Sequence, residues 1–149
     1  MTEQHKPFVI LMAEDDPDDR FLSTEALTEA RLSNELRFAV DGEDLMNYLC
    51  RLGQYSDPAN SPRPGLIQLD LNMPKKDGRE ALAEIKANEH LRRIPVVVLT
   101  TSHAEEDILH TYNLGVSGYV TKPVSLVELA EVMKVIGRYW LEIVELPPY

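Results

Sequence analysis

The sequence predicts an α/β domain built on a five-stranded parallel sheet with helices on both faces. Five apolar runs of strand length alternate with five segments of helical periodicity, and such alternation favours parallel strands joined by crossover helices. Two of the runs, 8–13 and 95–100, are continuous, the pattern of strands buried on both faces. A length of 149 residues, 44% hydrophobic and 27% charged, suits one domain with a sizeable core.

Residues 8–13 make the first strand, which ends in Glu14, Asp15 and Asp16. Pro17 suits the first turn of the next helix, with Asp16 as N-cap and Asp18 and Asp19 favoured by the helix dipole. That helix is expected to reach about Leu32 and to bury Leu22, Ala26, Leu27 and Ala30. Leu36, Phe38 and Val40 alternate with Arg37 and Ala39, a short second strand closed by Asp41 and Gly42. Leu45, Met46, Leu49 and Leu52 then recur at helical spacing. The loop 53–65 is longer than compact domains usually carry, so it is either a contact surface or decoration.

The third strand, from Leu66, ends in Asp70 and a turn marked by Pro74. Gly78 can relieve the turn, and a helix over about 79–88 presents Leu82 and Ile85 inward. Residues 95–100 are a β-branched, central strand that stops at Thr100, Thr101 and Ser102. A helix over about 104–114 ends at Gly115, a helix C-terminal glycine. Gly118 to Thr121 form the fifth strand and lead into Lys122 and Pro123.

Ser125 and Glu128 are spaced as a capping box that starts the last helix. Leu129, Met133, Ile136, Trp140 and Ile143 form one stripe of it, with Val132, Val135 and Tyr139 alongside. A stripe this broad calls for a partner besides the sheet, here a second copy of the chain. Residues 146–149 read as a non-helical tail. The domain is expected to span 1–149, with a core over about 8–138 and an extension over 139–149.

Composition narrows the function. A formal net charge of −10 works against nucleic acid, whose binding rests on clustered Lys and Arg, and suits divalent cations or basic protein surfaces. Cys50 has no second cysteine to pair with, which leans towards a reducing cytoplasm. Residues 1–7 lack the basic and apolar parts of a secretory signal, and no run approaches bilayer length, so a cytoplasmic location is expected.

In a parallel sheet ligands sit at the carboxyl ends of the strands. Glu14 and Asp15 follow the first strand, Asp70 the third, Thr100 the fourth and Lys122 the fifth, all at one sheet edge. Crowded carboxylates repel unless a cation joins them, so the cluster reads as a divalent site, and hard oxygens without His or Cys point to Mg²⁺. A carboxylate beside Mg²⁺, a lysine and a hydroxyl can attack phosphorus to give an aspartyl phosphate. Lys122 would balance negative charge and the Thr100 hydroxyl would hydrogen-bond a phosphoryl oxygen.

At these residues the chain resembles the receiver domain of two-component response regulators. The resemblance covers about residues 8–138 and rests on Glu14 and Asp15, the segment 70–78, the Thr100 strand end and the Gly-Tyr-Val-Thr-Lys-Pro run at 118–123. It implies a flavodoxin-like fold with strand order 2-1-3-4-5 and a histidine kinase that phosphorylates Asp70. It implies that Asp15 and the Asn72 backbone carbonyl help hold Mg²⁺, with Glu14 acting through water. It also implies that Thr100 and Tyr119 are switch residues, that Asn72 and Ser102 sit where phosphoryl lifetime is tuned, and that the Lys122–Pro123 peptide is cis.

Gln68 departs from the usual apolar strand residue, so its amide needs a partner. The long loop and the ending 139–147 look most like single-domain regulators that partner bacterial and cyanobacterial phytochromes. With nothing after residue 149, output is expected through protein contacts. The rivals are a receiver fold that binds without phosphate and a receiver serving another kind of histidine kinase. A haloacid dehalogenase-type phosphatase would need Asp at position 72, and a flavodoxin would need a phosphate loop after the first strand.

Overall fold

In a computed structural model, which describes residues 8–31 and 35–147, the predicted elements form in the predicted order. They are β1 (Val9–Ala13), α1 (Pro17–Glu29), β2 (Glu35–Ala39), α2 (Gly42–Cys50), β3 (Pro64–Leu69), α3 (Gly78–Ala87), β4 (Val96–Thr100), α4 (Glu105–Leu114), β5 (Gly118–Thr121) and α5 (Leu126–Arg138). All strand pairs are parallel in the order β2-β1-β3-β4-β5. The direction in which strands are added to the sheet reverses between β1 and β3, which opens a crevice at their carboxyl ends.

Alternate residues of each strand feed two cores. Leu11, Ala13, Ile67, Leu69, Val96 and Val98 pack with Leu45 and Tyr48 of α2 and with Ala81, Leu82 and Ile85 of α3. On the other face Met12 and Leu99 meet Ala26 of α1 and Leu129 and Met133 of α5, while Ile10, Leu66 and Val97 meet Leu27 and Leu141. All five residues of β4 are buried, as its unbroken apolar run requires.

Several details differ from expectation. Helix α1 ends at Glu29, three residues early, with Ala30 half-buried; Leu32 lies outside the described residues. Val40 falls outside β2 and is exposed, and Leu36 and Phe38 are only half-buried, because β2 is an edge strand paired with β1 alone. Helix α2 stops at Cys50, with Arg51 in the left-handed region at φ 56°, so Leu52 turns to solvent and Tyr48 takes the core position instead. The loop expected over 53–65 ends two residues sooner, since β3 already begins at Pro64, and it is fastened rather than loose. Its 3-10 turns, Gly53–Tyr55 and Pro58–Asn60, are tied down where Tyr55 donates to Asp44 (2.7 Å), Tyr48 to the Pro62 carbonyl (2.7 Å) and Ser61 to the Tyr55 carbonyl (2.8 Å).

The end of the chain turns back on its own domain. After α5 a π-helical turn, Tyr139–Ile143, inserts one residue into the helical register. Leu141 is therefore the buried residue that continues Leu129, Met133 and Ile136, while Ile143 swings out to 67% exposure. Leu146 comes so close to Gly65 that a Cβ there would lie 2.9 Å from its Cδ1. Gln68 is 1% exposed on the α1/α5 face of β3, and neither polar atom of its amide has a hydrogen-bond partner among the described residues.

Candidate functional site

The site is assembled at the carboxyl ends of β1, β3, β4 and β5. Sheet pairing continues one step past the strands, since Glu14 N–H donates to the Ala39 carbonyl (2.9 Å) and Asp70 N–H to the Ala13 carbonyl (3.1 Å). Both residues are thereby fixed as firmly as the sheet. The first turn of α1, capped by Asp16 and opened by Pro17, brings Arg20 back to donate to the Glu14 carbonyl (2.8 Å). Opposite it, the start of α3 passes so near Asp70 that a Cβ at Gly78 would lie 2.2 Å from the Asp70 carbonyl oxygen. Only glycine fits that approach.

Asp70 is 7% exposed, and donors converge on its carboxylate. Oδ1 accepts from the Thr100 hydroxyl (2.8 Å) and the Asn72 N–H (3.2 Å), and Oδ2 from Lys122 Nζ (3.3 Å). Lys122 also donates to Glu14 and to Asp19 (2.9 Å). Burial alone would lower the lysine pKa, but hydrogen bonds to Glu14 and Asp19 and the charge of Asp70 raise it above its ordinary value. Burial pushes the Glu14 carboxyl up to about 7 against the pull of Lys122. The Lys122–Pro123 peptide is trans, contrary to expectation. Trans is the isomer X–Pro bonds favour by about 0.5–1 kcal/mol.

Glu14, Asp15 and Asp70 each bring a carboxylate oxygen within 4.8 Å of the others, Asp15 from an exposed position. Three hard oxygen donors open to solvent on one side fit a divalent cation that retains water. Asp19 also joins this group through Lys122, although the sequence points to it only as a first-turn acid favoured by the helix dipole; the signal is its place at the start of a helix that begins at the site.

A second set of contacts leads away from Asp70. The Ser102 N–H points to Thr100 Oγ1 (3.4 Å), and the Ser102 carbonyl accepts from the half-buried Tyr119 hydroxyl (2.9 Å). The Ser102 hydroxyl donates to Asp107 (2.6 Å) in the first turn of α4, which is also held by both arms of Arg79 from α3 (2.7 Å each). Hydrogen bonds from Arg79 and Ser102 hold the Asp107 carboxyl down at about 2. Thr100 and Tyr119 are thus joined through one residue of the β4–α4 loop.

A parallel sheet in this order, with an acidic cluster, a hydroxyl and a lysine around one aspartate, defines a phosphoacceptor domain, and the response regulator receiver domain family matches residues 10–134. The chain belongs to that family. It is 50% identical over 145 residues to the response regulator Rcp1 of Synechocystis sp., covering 97% of each chain. The Mn(2+)-bound form of Rcp1 superposes with a TM-score of 0.89, covering 95% of this chain and all of the other. The phosphorylated cyanobacterial phytochrome response regulator RcpA is 46% identical with a TM-score of 0.89, and the bacteriophytochrome response regulator AtBRR is 36% identical with a TM-score of 0.73; these cover 96% and 97% of this chain and all of theirs. Among the described residues no helix is long and apolar enough to cross a membrane.

Proposed function

We propose that the chain is a receiver that takes a phosphoryl group on Asp70 from a sensor histidine kinase of the phytochrome type and signals through protein contacts. The observation that carries this reading is the convergence of Thr100, Asn72 N–H and Lys122 on the Asp70 carboxylate. In the reaction an Asp70 oxygen forms a bond to phosphorus while the phosphorus–nitrogen bond to the kinase imidazole breaks, and the electron pair returns to that nitrogen. Thr100 and Lys122 are placed to donate to the phosphoryl oxygens as charge shifts towards them. Glu14, Asp15, Asp70 and the Asn72 carbonyl would hold Mg²⁺, which neutralises phosphoryl charge when bound.

The core over about 8–138 would carry this chemistry, including self-catalysed phosphotransfer and dephosphorylation, with 139–149 as an extension. Phosphorylation biases a surface with two arrangements, and the contacts from Thr100 through Ser102 to Tyr119 and α4 support that route. The likeness to RcpA and AtBRR supports a phytochrome partner, the net charge of −10 supports protein rather than nucleic acid, and both suit a cytoplasmic protein. An exposed apolar row on α5 and the turn after it, Val135, Tyr139 and Ile143, supports a homodimer.

The test is phosphotransfer from a labelled phytochrome-type histidine kinase to the wild type and to Asp70→Asn with Mg²⁺ present. Label is expected on the wild type alone. Equal labelling of both removes Asp70 from its role, and labelling of neither, with acetyl phosphate also inert, points to a module that binds without phosphate.

A further inference from the structure

Lys122 is 6% exposed on its side chain and has three carboxylate partners, but only two of them, Glu14 and Asp70, belong to the acidic cluster that gathers within 4.8 Å. The third, Asp19, comes from a different element. It sits at the third position of α1, in a turn stiffened by Pro17 and by the Asp16 cap, and its own carbonyl accepts from the Ser23 hydroxyl (2.8 Å). Its carboxylate is 14% exposed and lies 2.9 Å from Lys122 Nζ, nearer than Asp70 at 3.3 Å. As the structure stands, the ammonium group serves as the counter-ion of the cluster.

That arrangement conflicts with cation binding. If Glu14 and Asp70 turn their oxygens to a divalent ion, the ammonium loses two partners and faces a double positive charge at close range. It is nearly buried, so it cannot regain hydration without moving, and an unpaired buried charge is costly. Among the described residues, Asp19 is the one partner already in contact that the cluster does not use.

We propose that Asp19 is a positioning residue for Lys122: it keeps the ammonium paired when Glu14 and Asp70 engage a cation. The inference rests on the receiver reading given above. Without Asp19, the described residues leave Lys122 only Glu14 and Asp70 to pair with, and it blocks the site.

The test is calorimetric Mg²⁺ titration of the unphosphorylated full chain. Asp19→Asn is expected to weaken Mg²⁺ on the order of fivefold, within the range of coupling between contacting groups. In a Lys122→Met background the same substitution is expected to change affinity by less than about twofold, since the group it acts through is gone. Asp18→Asn removes the same charge from an exposed neighbour and should leave affinity unchanged, and Asp19→Glu should restore most of it if Asp19→Asn is poorly folded by thermal unfolding in chelator.

An equal loss in both backgrounds would reduce Asp19 to a long-range charge and overturn the proposal, as would no loss in the wild-type background. A wild type that binds no Mg²⁺ removes the metal site and this inference together, whereas a wild type that binds Mg²⁺ without the coupling removes the inference alone.

Discussion

Glu14 and Gln68 lie on the same face of adjacent strands and illustrate opposite uses of a buried polar side chain. Glu14 is buried against Lys122, and its carboxyl is raised from 4.5 to about 7. The folded chain therefore holds an extra proton between those values, so this group's contribution to stability falls as pH rises through that window. If Glu14 holds the cation as proposed, the same proton must leave, and Mg²⁺ affinity is then expected to increase about tenfold from pH 6 to pH 8. Flat affinity over that range would take Glu14 out of the cation site. Gln68 has no such compensation, since both amide atoms are buried and unpaired. Gln68→Met, which keeps volume and removes the desolvated amide, is expected to raise stability by roughly 1–2 kcal/mol in urea unfolding. A loss of stability would show that the amide is satisfied after all.

Between elements, the contact with most leverage is the one from α3 to α4. Arg79 grips Asp107 with two 2.7 Å hydrogen bonds, and Asp107 in turn holds the Ser102 hydroxyl in the loop that links Thr100 to Tyr119. With side chains 30% and 14% exposed, this pair is screened, so Asp107→Asn is expected to cost about 1 kcal/mol at neutral pH. The folded carboxyl is depressed from 3.8 to about 2, so the stabilisation is present above about pH 4 and disappears as pH falls through 2. Unfolding curves of wild type and variant should converge in acid; a gap that is undiminished at pH 2 would assign the effect to packing. The loop 53–65 belongs to this scale too, because the residues that secure it, Tyr48 and Tyr55, answer to α2 and Asp44 rather than to any local turn signal.

At the scale of the molecule, the extension after α5 has two sides. Trp140, Leu141 and Leu146 lie on the chain's own sheet and on Gly65, so cutting near Arg138 would uncover the core as well as any interface. Val135, Tyr139 and Ile143 are 63%, 50% and 67% exposed at spacings of four, which leaves an apolar row on the outside. Val135→Glu with Ile143→Glu is expected to give a monomer by light scattering while thermal unfolding stays close to wild type. A dimer of unchanged affinity would show that this row is not the interface.

The sequence by itself determined the element order, the parallel sheet and the placing of Glu14, Asp15, Asp70, Thr100 and Lys122 at one edge. The reason is that apolar periodicity fixes which segments are strands, and parallel strands bring all their carboxyl ends to the same side. It also marked Gly115, left-handed after α4, whereas Gly78 is needed for the close approach to the Asp70 carbonyl rather than to relieve a turn. Only the tertiary structure decided that Asp19 joins Lys122, that Arg79 and Ser102 meet on Asp107, that Tyr48 replaces Leu52 in the core and that a π-turn exchanges Leu141 for Ile143. Each of these depends on the rotation of a helix about its axis or on contacts across 28 to 103 residues of chain, and neither is encoded in local spacing.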